Sequence, residues 1–221
     1  TVTVTDAATV AQFNTINAET TQDVVLSGGV SDTAAAYAAT NGTTTSGLTA
    51  IAAQDADAAI TVSDAPTVLQ LVTINAATTG AIVLSTANGA LTGSAANIVT
   101  AFAGTVTEHT GTVTVTDAAT VAQFNTINAE TTQNVVLSGG VSDTAAAYSA
   151  SDGTTTAGLT AIAAQDGDVA ITVSDAPNVA QLVTINAATT GAITLSTANG
   201  ALTGTAANLV TAFAGSVTEH T

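Results

Sequence analysis

Not one lysine or arginine occurs in the 221 residues, so every charged side chain is one of 16 carboxylates and the formal net charge is −16. Ordinary proteins are about a quarter charged residues of both signs. A uniformly acidic surface repels nucleic-acid phosphates and anionic lipid headgroups, so no nucleic-acid partner and no electrostatic membrane attachment are expected. Salt bridges to basic side chains cannot form, and a protease that cuts after Lys or Arg finds no site, which suits long exposure outside the cell. Cysteine, methionine and tryptophan are absent too. Disulfides and thiolate metal sites are thereby excluded, together with the side chains that oxidise most readily. Stability has to come from packing and hydrogen bonds. Aromatic residues make up only 3%, yet 46% of the chain is hydrophobic and the mean hydropathy is +0.47, enough apolar surface to support folding. No run of about 18 apolar residues could span a bilayer, and no basic segment with an apolar core reads as a signal peptide.

What the chain does have is repetition. VTVTDAATVAQFNTINAETT at Val2–Thr21 returns unchanged from Val113, and in related form as ITVSDAPTVLQLVTINAATT from Ile60 and ITVSDAPNVAQLVTINAATT from Ile171. Its aspartate falls at Asp6, Asp64, Asp117 and Asp175, spacings of 58, 53 and 58. Residues 1–110 align with 112–221 without a gap and differ at 13 positions, with Gly111 as the joint. The expected organisation is therefore two repeat copies, 1–111 (half-repeats 1–58 and 59–111) and 112–221 (half-repeats 112–169 and 170–221). The first residues are already in repeat phase and Thr221 stops one short of the next Gly111 equivalent, so a window from a longer array is expected.

Each half-repeat reads as two strand-then-helix coils. TVTVT alternates β-branched residues, a half-buried strand with Val2 and Val4 inward and Thr1, Thr3 and Thr5 outward. Asp6 reads as the N-cap of a helix running to about Ala18, with Pro66 and Pro177 near the first turn in two copies. Val10, Phe13 and Ile16 form its apolar stripe. Leu69, replaced by Ala180 in the second copy, reads as peripheral. A second strand follows at Asp23–Ser27 and Ala81–Ser85, with copies near Asn134 and Ala192. One connection then combines an Ala-rich helix carrying Tyr37 with a short strand at Leu48–Ile51; the other places Ile98 and Phe102 on a helix. Strand starts recur after 22, 36, 22 and 31 residues. Each interval is long enough for a parallel crossover, and such crossovers are right-handed. The expectation is an α/β fold, a right-handed β/α solenoid with one parallel sheet and all helices on one face. A two-sheet solenoid with coils of 53 to 58 residues is the alternative.

At VTVTDAATVAQFNTINAETT and ALTGSAANIVTAFAG the chain resembles the Ala/Thr/Val/Asp-rich tandem repeats of giant secreted bacterial cell-surface proteins, notably cyanobacterial ones. The resemblance covers essentially the whole chain and is one of repeat grammar. It implies a surface-layer, sheath, filament or adhesin component at an extracellular or cell-surface location. Some such proteins carry calcium-binding nonapeptide repeats, but no GGxGxD motif occurs here.

Candidate sites are few. Asp55 with Asp57, and Asp166 with Asp168, make Asp-x-Asp turns that could begin a calcium site, although turn chemistry alone also accounts for them. No other cofactor is expected. Glu108-His109 and Glu219-His220 supply too few ligands for zinc and read as plain loop. No GxSxG, HExxH or P-loop pattern is present, and the chain is not expected to be an enzyme. Asn17, Asn75, Asn128 and Asn186 could align into a hydrogen-bonded ladder between stacked coils. Asn41-Gly42-Thr43 fits the glycosylation pattern, but its counterpart is Asp152. The outward sheet positions Thr3, Val25, Thr61, Val83, Thr114, Val136, Thr172 and Thr194 form an uncharged row suited to self-association; ordering water on ice is a lesser reading of the same row. The expected function is a self-assembling structural repeat of an extracellular filament, sheath or surface layer, a homopolymer. The alternative is an adhesin stalk or binding module whose recognition lies elsewhere.

Overall fold

The structure, a computed structural model, describes every residue except 105, 108, 197–199, 216 and 218–221. It is a mixed α/β fold that divides into two compact units, Thr1–Val113 with Glu130–Gln133, and Thr114–Ala129 with Asn134–Thr221.

In the first unit the order is β1 (Val2–Val4), α1 (Val10–Ala18), β2 (Val24–Leu26), β3 (Val30–Asp32), α2 (Ala34–Tyr37), α3 (Ser46–Gln54), β4 (Ile60–Val62), α4 (Val68–Ala77), β5 (Ile82–Leu84), β6 (Leu91–Gly93) and α5 (Ala95–Ala101). β1 and β2 pair in parallel with Val2 opposite Val24 and Val4 opposite Leu26. β3, β4 and β5 form a second parallel sheet with Val30, Ile60 and Ile82 in one register row. Single bridges extend that row to Ala8 on one side and Val106 on the other.

The strands are three residues long and lie in several small sheets, not in the single sheet expected. Two local causes are visible. The stretch VVLSGGVSD was expected to hold one strand, but Ser27–Gly29 turns the chain so that it re-enters as β3 in a different sheet. Gly28 passes so close to the β1 exit that a Cβ there would lie 2.3 Å from the Asp6 carbonyl carbon, and Gly29 takes φ +74°. The β1–β2 sheet then ends because the place of a third strand is taken by side chains: Val24 N–H donates to Gln54 Oε1 at 3.0 Å and Leu26 N–H to Asp55 Oδ2 at 2.6 Å.

The helix boundaries correct a second expectation. Asp6 and Asp64 do not cap the helices that follow them. The N-caps are Thr9 and Thr67, each in a capping box: the Thr9 hydroxyl accepts from Gln12 N–H at 3.2 Å while Gln12 Oε1 accepts from Thr9 N–H at 2.8 Å. Pro66 accordingly sits before the cap, outside the first turn. The segment expected as a strand at Leu48–Ile51 lies within α3, started by Thr45, whose hydroxyl accepts from Leu48 N–H. Leu48 and Ile51, one turn apart, are both buried. Helices pack as α1 on α3, α3 on α4 and α4 on α5, over a core that includes Phe13, Val24, Leu48, Ile60 and Leu71.

The second unit repeats this order, with β7 (Val113–Val115) beginning at its boundary, then α6 (Val121–Ala129), β8 (Val135–Leu137), β9 (Val141–Asp143), α7 (Ala145–Tyr148), α8 (Ala157–Gln165), β10 (Ile171–Val173), α9 (Val179–Ala188), β11 (Ile193–Leu195) and α10 (Ala206–Ala212). β9, β10 and β11 are parallel with Val141, Ile171 and Ile193 in register. Asn178 replaces Thr67 as the α9 cap and keeps the capping box with Gln181. Residues 202–204, the counterpart of β6, carry no strand. Among the described residues no helix is long and apolar enough to cross a membrane.

Candidate functional site

The middle residue of each three-residue strand points away from the core. Of the eight outward positions expected, Thr3, Val25, Val83, Val136 and Thr194 are exposed and Thr61, Thr114 and Thr172 are half-buried. The three valines, 37%, 39% and 41% exposed, are among the largest apolar side chains left open to solvent. They do not form one row of eight, because the sheets are separate. Thr3 stands beside Val25; Ser31, Thr61 and Val83 form a second row, and Ser142, Thr172 and Thr194 its copy. Ser31 and Ser142 are not legible in the sequence, because β3 and β9 follow directly on the Ser27–Gly29 turn and its copy, which read as the end of a coil. Each row is uncharged, and its hydroxyls and methyls repeat with the strand spacing of about 4.8 Å.

The aspartates do other work than expected: several close on backbone groups 22 to 30 residues earlier in the chain. Asp32 accepts from Val10 N–H at 3.1 Å, the first residue of α1, and from Thr33 N–H at 2.8 Å. Asp64 accepts from Ala34 N–H, the first residue of α2, at 2.7 Å. Asp143 and Asp175 repeat both contacts on α6 and α7. A helix N-terminus carries unpaired N–H groups and partial positive charge, so a carboxylate there is doubly favoured. In this chain without cations, helix ends and strand edges supply what basic side chains usually would.

The calcium candidates belong to this set. Asp55 and Asp166 bond the β2 and β8 backbones through Leu26 and Leu137, while Asp57 and Asp168 are exposed. Asp166 is held above the usual carboxylate range, first by burial and further by its hydrogen bond to and repulsion from Asp168, against the lowering effect of the Leu137 N–H. Among the described residues no group of three or more His, Cys, Asp or Glu is placed to hold a metal ion.

Buried polar side chains tie neighbouring elements together. The Tyr37 hydroxyl, fully enclosed, donates to the Thr61 carbonyl at 3.1 Å, and burial followed by the nearby Asp32 charge pushes its ionisation far up. Gln70, 4% exposed, donates to the Ala38 carbonyl at 2.8 Å. The expected asparagine ladder is replaced in part by bonds to backbone: Asn75 donates to the Thr100 carbonyl at 2.8 Å and Asn186 to that of Thr211 at 2.9 Å.

His109 is not the plain loop residue expected. It is 2% exposed, its ring lies 5.9 Å from that of Phe102, and its backbone N–H donates to the Glu130 carbonyl at 2.9 Å. Among the described residues neither ring nitrogen has a hydrogen-bond partner. Glu108, Glu219 and His220 lie outside the described residues. Burial lowers the His109 pKa from its ordinary 6.5, so the fold holds the neutral ring and loses stability as pH falls below that value. Among the described residues no carboxylate pairs with the ring to offset this. His109→Phe, matching the aromatic neighbour, is expected to raise the melting temperature and to remove the His109 share of the acid slope. Melting curves of the two proteins from about pH 8 to 5 check this; the carboxylates and His220, common to both, cancel in the difference. Parallel curves over that range would contradict the assignment.

Shallow grooves lie on the described surface. One of about 300 Å³ is lined by Val4, Asp6, Ala8, Gln12, Thr15 and Ile16. Others lie along α4 and along α8 and α9, lined by Thr, Val, Leu and Ala side chains. Asp6 is the only titratable side chain among these linings. No protein-family model matches the chain, and comparison with curated proteins and with solved structures finds no significant match.

Proposed function

We propose that this chain is a non-catalytic structural repeat of an extracellular filament, sheath or surface layer, built as a two-sheet β/α solenoid whose coils self-associate. The observation that carries this reading is the use made of the repeated polar residues. Asp32, Asp64, Gln54, Asp55, Gln70 and Asn75 all bond backbone of another segment. Their second-copy counterparts Asp143, Asp175, Gln165, Asp166, Gln181 and Asn186 do the same. Repetition here serves stacking. The resemblance to tandem repeats of secreted cell-surface proteins agrees, as does a composition free of Lys, Arg, Cys, Met and Trp. The outward rows Thr3–Val25 and Ser31–Thr61–Val83, the second only partly exposed, offer uncharged contact surface, where carboxylate repulsion is least.

Purified protein is expected to form uniform polymers whose mass rises with concentration and with salt, which screens its like charges. Sedimentation velocity and electron microscopy on the same samples check this. A strictly monomeric species at high concentration and high salt would remove the proposal.

A further inference from the structure

We propose that Asn41 is the acceptor of an N-linked glycan, presented by a turn that holds its side chain through the oxygen and leaves the amide nitrogen free. This rests on the extracellular reading above and adds a modification site to it.

Asn41-Gly42-Thr43 is the one Asn-x-Ser/Thr triplet in the chain, and its middle residue is not proline, the pattern of an acceptor asparagine on a surface loop. It lies between α2 and α3, at the tip of a short hairpin closed by the antiparallel bridge of Ala38 with Thr44. Ala39 N–H donates to the Thr43 carbonyl and Gly42 N–H to the Ala39 carbonyl, both at 2.8 Å. Gly42 takes φ +83°, which glycine adopts at little cost. The Thr73 hydroxyl of α4 donates to the Gly42 carbonyl at 2.6 Å and so fixes the turn on the helix layer. Asn41 and Thr43, the two residues that define the acceptor, are both exposed.

The Asn41 side chain is held at one end. Its Oδ1 accepts from Thr43 N–H at 3.0 Å, while Nδ2 has no partner among the described residues. The second copy shows that the fold does not need this nitrogen. Asp152 stands in the same place, its Oδ1 accepts from Thr154 N–H at 2.9 Å, Gly153 takes φ +89°, and Thr184 donates to the Gly153 carbonyl at 2.6 Å. Either side chain closes the turn through its oxygen. What Asn41 adds is an unbonded amide nitrogen on an exposed residue, with the Thr43 hydroxyl two residues on.

In the transfer, Nδ2 forms a bond to C1 of the first sugar of a polyprenyl-diphosphate-linked oligosaccharide. The bond from C1 to the diphosphate oxygen breaks, the diphosphate leaves with the electron pair, and Nδ2 gives up one proton to a base of the transferase. A glycan at this turn stands over α4, on the helix side of the core, whereas the outward strand row Ser31–Thr61–Val83 points away from that core. The row therefore stays free for self-association.

Mass spectrometry of the protein recovered from the surface of its own cells tests this. Cleavage before aspartate releases Asp32–Gln54, in which Asn41 is the single asparagine. That peptide is expected to carry a glycan. A glycan-releasing amidase acting in heavy-oxygen water is expected to remove it and leave isotopically labelled aspartate, which separates release from spontaneous deamidation at Asn-Gly. Asn41→Asp, which copies the Asp152 turn, and Thr43→Ala are each expected to lose the glycan while circular dichroism shows the fold retained. Asp152→Asn is expected to gain a second glycan, on the peptide Asp143–Gln165. A surface protein whose Asp32–Gln54 peptide has its unmodified mass, or whose glycan the amidase leaves wholly in place, would overturn the proposal and leave the extracellular reading standing. An Asp152→Asn chain without a second glycan would overturn the role given to the turn. Protein found only inside the cell would overturn the glycan and the extracellular reading together.

Discussion

Phe124→Ala is expected to destabilise the second unit by about 3–5 kcal/mol, the range for removing a fully enclosed phenyl ring. Phe124 is 0% exposed and lies on the buried stripe of α6 with Val121 and Ile127. α6 packs against α8 and β9, and the anchoring of those elements limits how far they close on the void. Both are anchored through the same aspartates, Asp143 at the end of β9 and Asp166 at the end of α8. The loss is therefore expected near the upper end. Urea unfolding followed by circular dichroism measures it. Leu69→Ala is the control, because the second copy already carries Ala180 there and Leu69 is 39% exposed; its effect is expected within about 0.5 kcal/mol. A Phe124→Ala change below about 1 kcal/mol would mean that the ring is not packed as described.

Asp143→Ala is expected to be the next largest, about 2–4 kcal/mol. The carboxylate accepts from Val121 N–H at 3.1 Å and Thr144 N–H at 2.8 Å, thereby capping α6 and fixing the start of α7. Each backbone donor left without an acceptor costs about 1–3 kcal/mol where water cannot replace it. The Thr144 bond is exposed and contributes least. Loss of negative charge at the α6 N-terminus adds about 0.3–1 kcal/mol. Asp143→Asn keeps one acceptor oxygen and turns an amide group toward the other donor, so it recovers only part of the stability. Asp6→Ala, at an exposed position ahead of the Thr9 cap, is the comparison; if Asp143→Ala costs no more than Asp6→Ala, bonding across segments is not what holds the helix ends.

The repeat period, the β1 strand with the helix after it and the inward Val10 and Phe13 are legible in the sequence, because each depends on local spacing, whereas the consecutive strands β2–β3 and β5–β6 and the consecutive helices α2–α3 are not, and Ile16 is only half-buried. Outward positions such as Val25 and Val83 are legible for the same reason. The cap assignment fails at Asp6 because two residues a turn apart, Asp6 and Thr9, both suit a helix start; Thr9 wins through Gln12, which closes the box. The aspartates' true partners are unreadable in principle from local pattern, since they lie 22 to 30 residues away. The single sheet fails at Ser27–Gly29, where the turn looks like a coil end but is a step between sheets. His109 reads as loop because its neighbours Thr107 and Thr110 are polar; its burial is set by Phe102 and residues 130–131, which only the folded chain brings to it.

The plugs at the β2 edge have a further consequence. Val-Val-Leu and Ile-Val-Leu segments, rich in β-branched residues and free of charge, are the kind of sequence that nucleates amyloid when an edge is left open. Gln54 and Asp55 occupy the N–H groups through which an incoming strand would add, and Gln165 and Asp166 do so in the second unit. A side chain can satisfy a strand edge without offering another edge in turn. Each plug therefore acts as a chain terminator for sheet growth, and removing it by Gln54→Ala with Asp55→Ala would convert a bounded sheet into a seed.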